Sequence, residues 1–212
     1  MSLTNQSVLS PNSIRLILAI TGASGSVFAA EILRTLHADA RVSHIDLVPS
    51  EASLRVLAEE LQISGRTALI EKLLGPSIPA SPSKITTHAE ADIAASIASG
   101  SVPSHGMIVL PCSMGTLAGI ANGIASNLIE RAADVTLKER RPLILCVRET
   151  PFNKIHLRNM QLASDAGATI FPIMPTFYNH PQDTSEMARQ FVYRVLAHIG
   201  LPQPDAFQWK GD

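Results

Sequence analysis

The chain has 212 residues, 46% of them hydrophobic and 17% charged, and a formal net charge of −1. A chain of this length buries roughly 70–75% of its unfolded surface on folding, and a near-neutral balance gives no support to nucleic-acid binding. Its longest apolar runs, such as Leu16 to Ile20 and Leu143 to Val147, are about five residues, far short of the ~20 that a membrane helix requires, which argues against a membrane partner.

Residues 1–13 are polar and lack the charged and apolar blocks of a signal peptide, so they read as a loose N-terminal extension to one α/β domain over 14–212, with the cytoplasm as the expected compartment. Ile14–Ile20 is a continuous apolar run, the signature of a strand buried on both faces. It ends in Thr21-Gly22-Ala23-Ser24-Gly25, after which Phe28, Ile32 and Leu36 recur every four residues, as on one helix face. A second strand spans about Ile45–Val48 and ends at Pro49-Ser50; Leu54, Leu57 and Leu61 place a helix behind it. Between Gly75 and Ser83, Pro76, Pro79 and Pro82 interrupt any regular element. Strands near Met107–Leu110, Leu143–Val147 and Thr169–Ile173 follow, each with a helix after it, and the last helix lies near Ser185–His198. Repeated βα order implies a Rossmann-like, doubly wound parallel sheet.

In such sheets ligands bind where strands end and helices begin, and free backbone N–H groups there favour anions. Thr21–Gly25 occupies one such turn; its small residues allow close approach of a ligand, while Ser24 adds a hydroxyl. It lacks the full G-x-G-x-x-G spacing with an acidic residue about 20 positions on, so it reads equally as a ligand loop or a tight turn. Ser50 and Ser113 end two further strand patterns. One such serine is a helix cap by default, but three polar strand ends in one sheet point to a shared cleft.

Arg131 and Lys138 are seven residues apart and share one face of a helix over Asn127–Arg141, where Glu130 and Glu139 offer ordinary surface partners. A phosphate is the other reading, because Arg148 closes a buried strand and Arg194 lies among Val192, Val195 and Leu196. Long cations on apolar elements call for an anion. Glu149 reads as a partner of Arg148 or as a proton carrier, Glu60 as an exposed helix residue, and Tyr178 as a ligand contact or a loop anchor. Cys112 and Cys146 fall in apolar strand patterns and read as reduced core thiols. The seven histidines show no metal-ligand spacing, so no metal is expected, and no Gly-x-Ser-x-Gly elbow suggests a hydrolase.

TGASG (21–25), PCSMGTLAGIANGIASNLIERAADVTLKERRPLILCVRETPF (111–152), HLRNM (156–160) and PTFYNHPQ (175–182) resemble the motifs of the flavin prenyltransferases, the UbiX family, once called aromatic-acid decarboxylases. The resemblance covers nearly all of Ile14 to Trp209. It implies a fold of the flavin-containing cysteine decarboxylase superfamily and a homo-oligomer built from trimers, commonly a dodecamer. It also implies that reduced FMN and dimethylallyl phosphate are converted to prenylated FMN, the cofactor of a UbiD-type decarboxylase. Whether the donor is the monophosphate or the diphosphate stays open.

Carried over by motif, Gly22, Ala23, Ser24, Ser50, Ser113, Met114, Gly115, Thr116 and Arg148 meet the flavin. Lys138, Tyr178 and Arg194 hold the prenyl phosphate, with Arg131 nearby. Ser24, Glu60 and Glu149 serve proton transfer and stabilisation, with Glu59 adjacent to Glu60, and Trp209 in the tail covers the site. Pro49 replaces an apolar residue often seen before that serine, and Ile93 stands where some members carry tryptophan. The chemistry suits these groups. Cations stabilise a departing phosphate, a dry pocket protects the allyl cation, and ring closure on the flavin needs a base. Two other functions fit the same loops: an oxidative peptidyl-cysteine decarboxylase, whose Pro-x-Met-Asn segment is replaced here by Val147-Arg148-Glu149-Thr150-Pro151, and a non-enzymatic flavin-binding regulatory subunit.

Overall fold

The computed structural model describes residues 13–76 and 84–209. The expectations for residues 1–12, most of the proline-rich stretch and the last three tail residues lie outside them.

Six strands form one sheet: β1 (Ile14–Ile20), β2 (Val42–Pro49), β3 (Ile85–Thr87), β4 (Met107–Cys112), β5 (Leu143–Val147) and β6 (Thr169–Ile170). Every pairing is parallel, and the order is β3-β2-β1-β4-β5-β6. Parallel strands require crossovers, and the helices supply them: α1 (Ser26–Ala38), α2 (Glu51–Leu61), α3 (Leu69–Leu74), α4 (Met114–Ala121), α5 (Leu128–Lys138), α6 (Lys154–Asp165) and α7 (Thr184–His198). Alternation along β1 divides the core: Leu16, Leu18 and Ile20 pack with α1, α3 and α7, while Ile17 and Ala19 face the cluster of α4, α5 and α6. The chain thus winds outward in both directions from β1 and β4, and the crevice between their carboxyl ends is the topological switch point.

The expected strands are present, with longer bounds for β2 and β4 and a shorter β6. The sequence reading omitted β3 and α3, since β3 is only three residues, of which Ile85 alone is buried. It also passed over Asp46, fully buried in β2. The Arg15 guanidinium on β1 donates to its two carboxylate oxygens at 2.6 and 2.9 Å, and His88 Nε2 lies 2.9 Å away. Burial alone would raise the Asp46 pKa; the hydrogen bonds from Arg15 and His88 outweigh it and hold the carboxyl below its ordinary value.

Candidate functional site

Three loops meet at the carboxyl edge. After β1, Gly22 passes so close to α2 that a Cβ on it would lie 2.5 Å from the Ala52 Cβ. After β2, Ser50 caps α2 by accepting the Ser53 N–H at 3.0 Å. After β4, Ser113 caps α4 by accepting the Thr116 N–H at 3.3 Å, and a Cβ on Gly115 would face open space. Among the described residues nothing packs against Gly115, which leaves its backbone open to a ligand.

The chain itself occupies two of the three helix N-termini. Glu60 reaches from α2 to accept the Gly25 and Ser26 N–H groups of α1, at 3.0 and 2.7 Å. Glu90 accepts the Glu51 N–H of α2 at 2.9 Å. At α4 no carboxylate intervenes: Ser113 N–H goes to Thr21 and Thr116 N–H to Ser113, while the N–H groups of Met114 and Gly115 have no partner among the described residues. These are ready donors for an oxygen of a bound ligand.

Glu60 is thus no ordinary surface carboxylate. Burial would raise its pKa, but hydrogen bonds from the Ser24 hydroxyl, from Ser26 and from the Gly25 N–H outweigh that and hold it below the usual glutamate value. Glu60, not Glu59, is the residue turned onto the first loop. Glu149 accepts its neighbour's Thr150 N–H at 2.9 Å and makes no bond to Arg148, so of its two readings the partnership with Arg148 is not formed. Arg148 begins where β5 ends, its N–H donating to Cys112 O at 3.2 Å, and its exposed guanidinium has no partner among the described residues. Cys112 and Cys146 are free and buried. Burial pushes the Cys112 thiol up to about 12, which removes it as a nucleophile at neutral pH.

Tyr178, Arg194 and Trp209 converge in one place. With Thr176, Gln190 and Phe207 they line a cavity of about 160 Å³ between the loop after β6, the outer face of α7 and the C-terminal tail. Tyr178 stands edge-on to Trp209 at 5.6 Å and lies 6.0 Å from the Phe207 ring. The loop that carries Tyr178 is tied to the carboxyl edge, because Ile173 N–H donates to Val147 O at 3.0 Å. The sequence reading missed Gln190 and Glu90, and it gave Thr21 no part beyond its place in the first turn.

Lys138 does not join this group within one chain. Its helix runs antiparallel to the strands, and its 11 residues carry the chain about 16 Å. Lys138 therefore sits beside Gly100, ahead of β4, with Nζ 3.0 Å from Glu139 Oε1. Arg131, in the first turn of α5, stays near the carboxyl edge, since Glu90 joins the starts of α2 and α5 through Glu51 N–H and Leu128 N–H. Its partner is Asp134 at 3.1 Å and not Glu130, which is buried and accepts from Ser126.

A doubly wound sheet with small, hydroxyl-bearing loops at its switch point offers a crevice for a nucleotide-type ligand, and the chain matches the Flavoprotein family over residues 5–193. It is 44% identical over 199 residues to the flavin prenyltransferase UbiX of Salmonella typhimurium, covering 93% of this chain and 98% of that one. The chain belongs to the UbiX flavin prenyltransferase family. Among solved structures it resembles a dodecameric FMN-dependent UbiX-like decarboxylase from Escherichia coli, with TM-score 0.82, 41% identity and coverage of 93% and 100%. It resembles AnUbiX in complex with FMN and dimethylallyl pyrophosphate equally well, with TM-score 0.82, 37% identity and coverage of 94% and 98%. The FMN-dependent cysteine decarboxylase TvaF, at TM-score 0.52 and 16% identity over 74% of this chain and 88% of that one, shares the fold alone.

Proposed function

We propose that this protein transfers a dimethylallyl group from dimethylallyl phosphate to reduced FMN, forming prenylated FMN for a UbiD-type decarboxylase in the cytoplasm. The observation that carries the reading is the cavity that gathers Arg194, Tyr178 and Trp209, a cation and a phenol beside aromatic rings.

The loops fit a flavin. Gly22, Ala23 and Ser24, the Ser50 hydroxyl and the segment Ser113–Thr116 surround the switch point. The N–H groups of Met114 and Gly115, unclaimed among the described residues, take a flavin oxygen, and Arg148 supplies a cation that has no partner among them. Reduced FMN contributes the nucleophilic ring nitrogen and the carbon that closes the new ring. The chain does the rest. Arg194 and the Tyr178 hydroxyl bind the donor phosphate and stabilise it as it leaves. Ser24 and Glu60 form a proton-carrying pair at the flavin loop, and Glu149 accepts a proton during ring closure. Phe207 and Trp209 close the cavity.

Lys138 enters from a second copy. It belongs to the phosphate set by motif, yet in its own chain it lies at the far edge of the sheet, so a closed homo-oligomer built from trimers brings it to the phosphate of a neighbour. Exposed Ile124, Ile155, Leu157 and Met174, each more than half accessible in the single chain, supply apolar surface for such contacts.

The test is an anaerobic reaction of the purified protein with reduced FMN and either dimethylallyl phosphate or the diphosphate, read by mass spectrometry of the extracted flavin. Gain of one dimethylallyl unit is expected. Tight FMN binding with no transfer from either donor overturns the proposal in favour of a flavin-binding regulatory role.

A further inference from the structure

Gln190 lies one helical turn before Arg194 on α7, and both line the cavity beside Trp209. Its side-chain amide grips the C-terminal tail twice. Nε2 donates to the Asp205 carbonyl at 3.2 Å, and Oε1 accepts the Phe207 N–H at 2.8 Å. The tail from Leu201 to Trp209 forms neither helix nor strand, so side-chain contacts must fix its course. Its root is held where Arg41 donates to Pro202 O at 3.0 Å and Gln203 donates to Asp39 at 3.1 Å. Beyond that root, among the described residues, the Gln190 bonds are the only hydrogen bonds from 205–209 to the rest of the fold. Phe207 and Trp209 meet Tyr178 through ring contacts.

We infer that Gln190 is a positioning residue for prenyl transfer: its amide holds the tail so that Phe207 and Trp209 stand with Tyr178 as an aromatic wall over the allyl group of the donor. The inference rests on the donor reading of that cavity. When the C–O bond of the donor breaks, its electron pair leaves with the phosphate oxygen, and the allyl carbon is taken either by the flavin nitrogen or by a water oxygen. Water capture gives the allylic alcohol, with its extra proton passing to phosphate. An ordered aromatic wall removes water positions from one side of the cation and offers ring faces that stabilise positive charge. Gln190 is uncharged and its hydrogen bonds go to backbone groups, so removing its amide leaves the phosphate-binding charge of Arg194 in place.

The experiment compares the intact oligomer with Gln190→Leu, of similar size but without the amide, and with a chain ending at Pro204. Three quantities are measured. Time-resolved anisotropy follows Trp209, the one tryptophan of the chain; titration gives FMN affinity; and product analysis gives the ratio of allylic alcohol to prenylated flavin. In Gln190→Leu, a nanosecond component of Trp209 motion should grow while FMN affinity stays within about twofold, and the alcohol fraction should rise roughly tenfold, the scale of losing two neutral hydrogen bonds. The shortened chain, with α7 untouched, should show the same rise and serves if the leucine variant does not fold. Unchanged anisotropy in Gln190→Leu overturns the hold on the tail, whether or not the enzyme is active. A loosened Trp209 with an unchanged product ratio, or a shortened chain with the wild-type ratio, overturns its part in transfer. If the wild-type protein binds FMN but transfers nothing, the donor reading fails, while the anisotropy still judges the clamp.

Discussion

The Thr21 hydroxyl at the end of β1 accepts the Ser113 N–H at 2.8 Å, and it donates to the Pro111 carbonyl at 2.8 Å. One buried hydroxyl therefore joins the loop after β1 to the loop after β4 across the switch point. It also uses the Ser113 N–H, leaving the next two amides of α4 for a ligand.

Thr21→Val keeps the shape of the side chain but strands that N–H, at a cost of about 1–3 kcal/mol. The two loops then lose their fixed spacing. Flavin affinity should fall about tenfold, and Thr21→Ser should restore most of it, because the hydroxyl returns. Fluorescence titration of FMN against both variants decides the matter; an unaltered dissociation constant for Thr21→Val refutes the tie.

Arg194 concerns the donor and not the flavin. Arg194→Ala should leave FMN binding nearly intact while transfer slows roughly 10- to 150-fold, the effect of losing a charge-assisted bond of about 1.5–3 kcal/mol in the transition state. Flavin titration and timed anaerobic turnover separate the two effects. A matching loss of FMN affinity would place Arg194 on the flavin instead.

Much of this architecture is legible in the residues. Continuous apolar runs mark β1, β4 and β5 because strands buried on both faces have no polar alternation, and the Thr-Gly-Ala-Ser-Gly turn marks the first loop. What escaped depends on contacts distant in sequence. Gln190 looks like a solvated residue on an amphipathic helix, and its partners are backbone groups 15 and 17 residues away. Glu90 caps a helix 39 residues earlier in the chain. The seven-residue spacing of Arg131 and Lys138 fixes a shared helix face. It says nothing about which edge of the sheet each end of that helix reaches, and that decides whether Lys138 serves its own site.

That separation yields a test by mixing. If Lys138 completes a neighbour's site, subunits carrying Lys138→Ala and subunits carrying Arg194→Ala should each be nearly inactive as pure oligomers. Coexpressed in equal amounts, they should regain activity, since about a quarter of sites in a randomly mixed closed ring combine an intact Lys138 with an intact Arg194. Activity in the mixed oligomer no greater than in its parents would return Lys138 to a surface ion pair with Glu139.

The root of the tail carries a pH signature. The Arg41 guanidinium donates to Asp39 at 2.6 Å and Gln203 donates at 3.1 Å. The Arg41 hydrogen bond is the largest influence on Asp39; with the help of Gln203 it overcomes the upward effect of burial and brings the carboxyl to about 2 from an ordinary 3.8. A carboxylate with a lowered pKa in the folded state stabilises that state above its unfolded value, and the contribution is lost as pH falls through the folded one. Asp39→Asn should therefore lower the melting temperature at neutral pH, with a stability loss of about 1 kcal/mol once solvent screening is allowed for. The gap between wild type and variant should stay constant down to about pH 4 and close as pH approaches about 2. Thermal melts across that range supply the measurement, and a gap that persists undiminished near pH 2 would show that the charge of Asp39 does not anchor the tail.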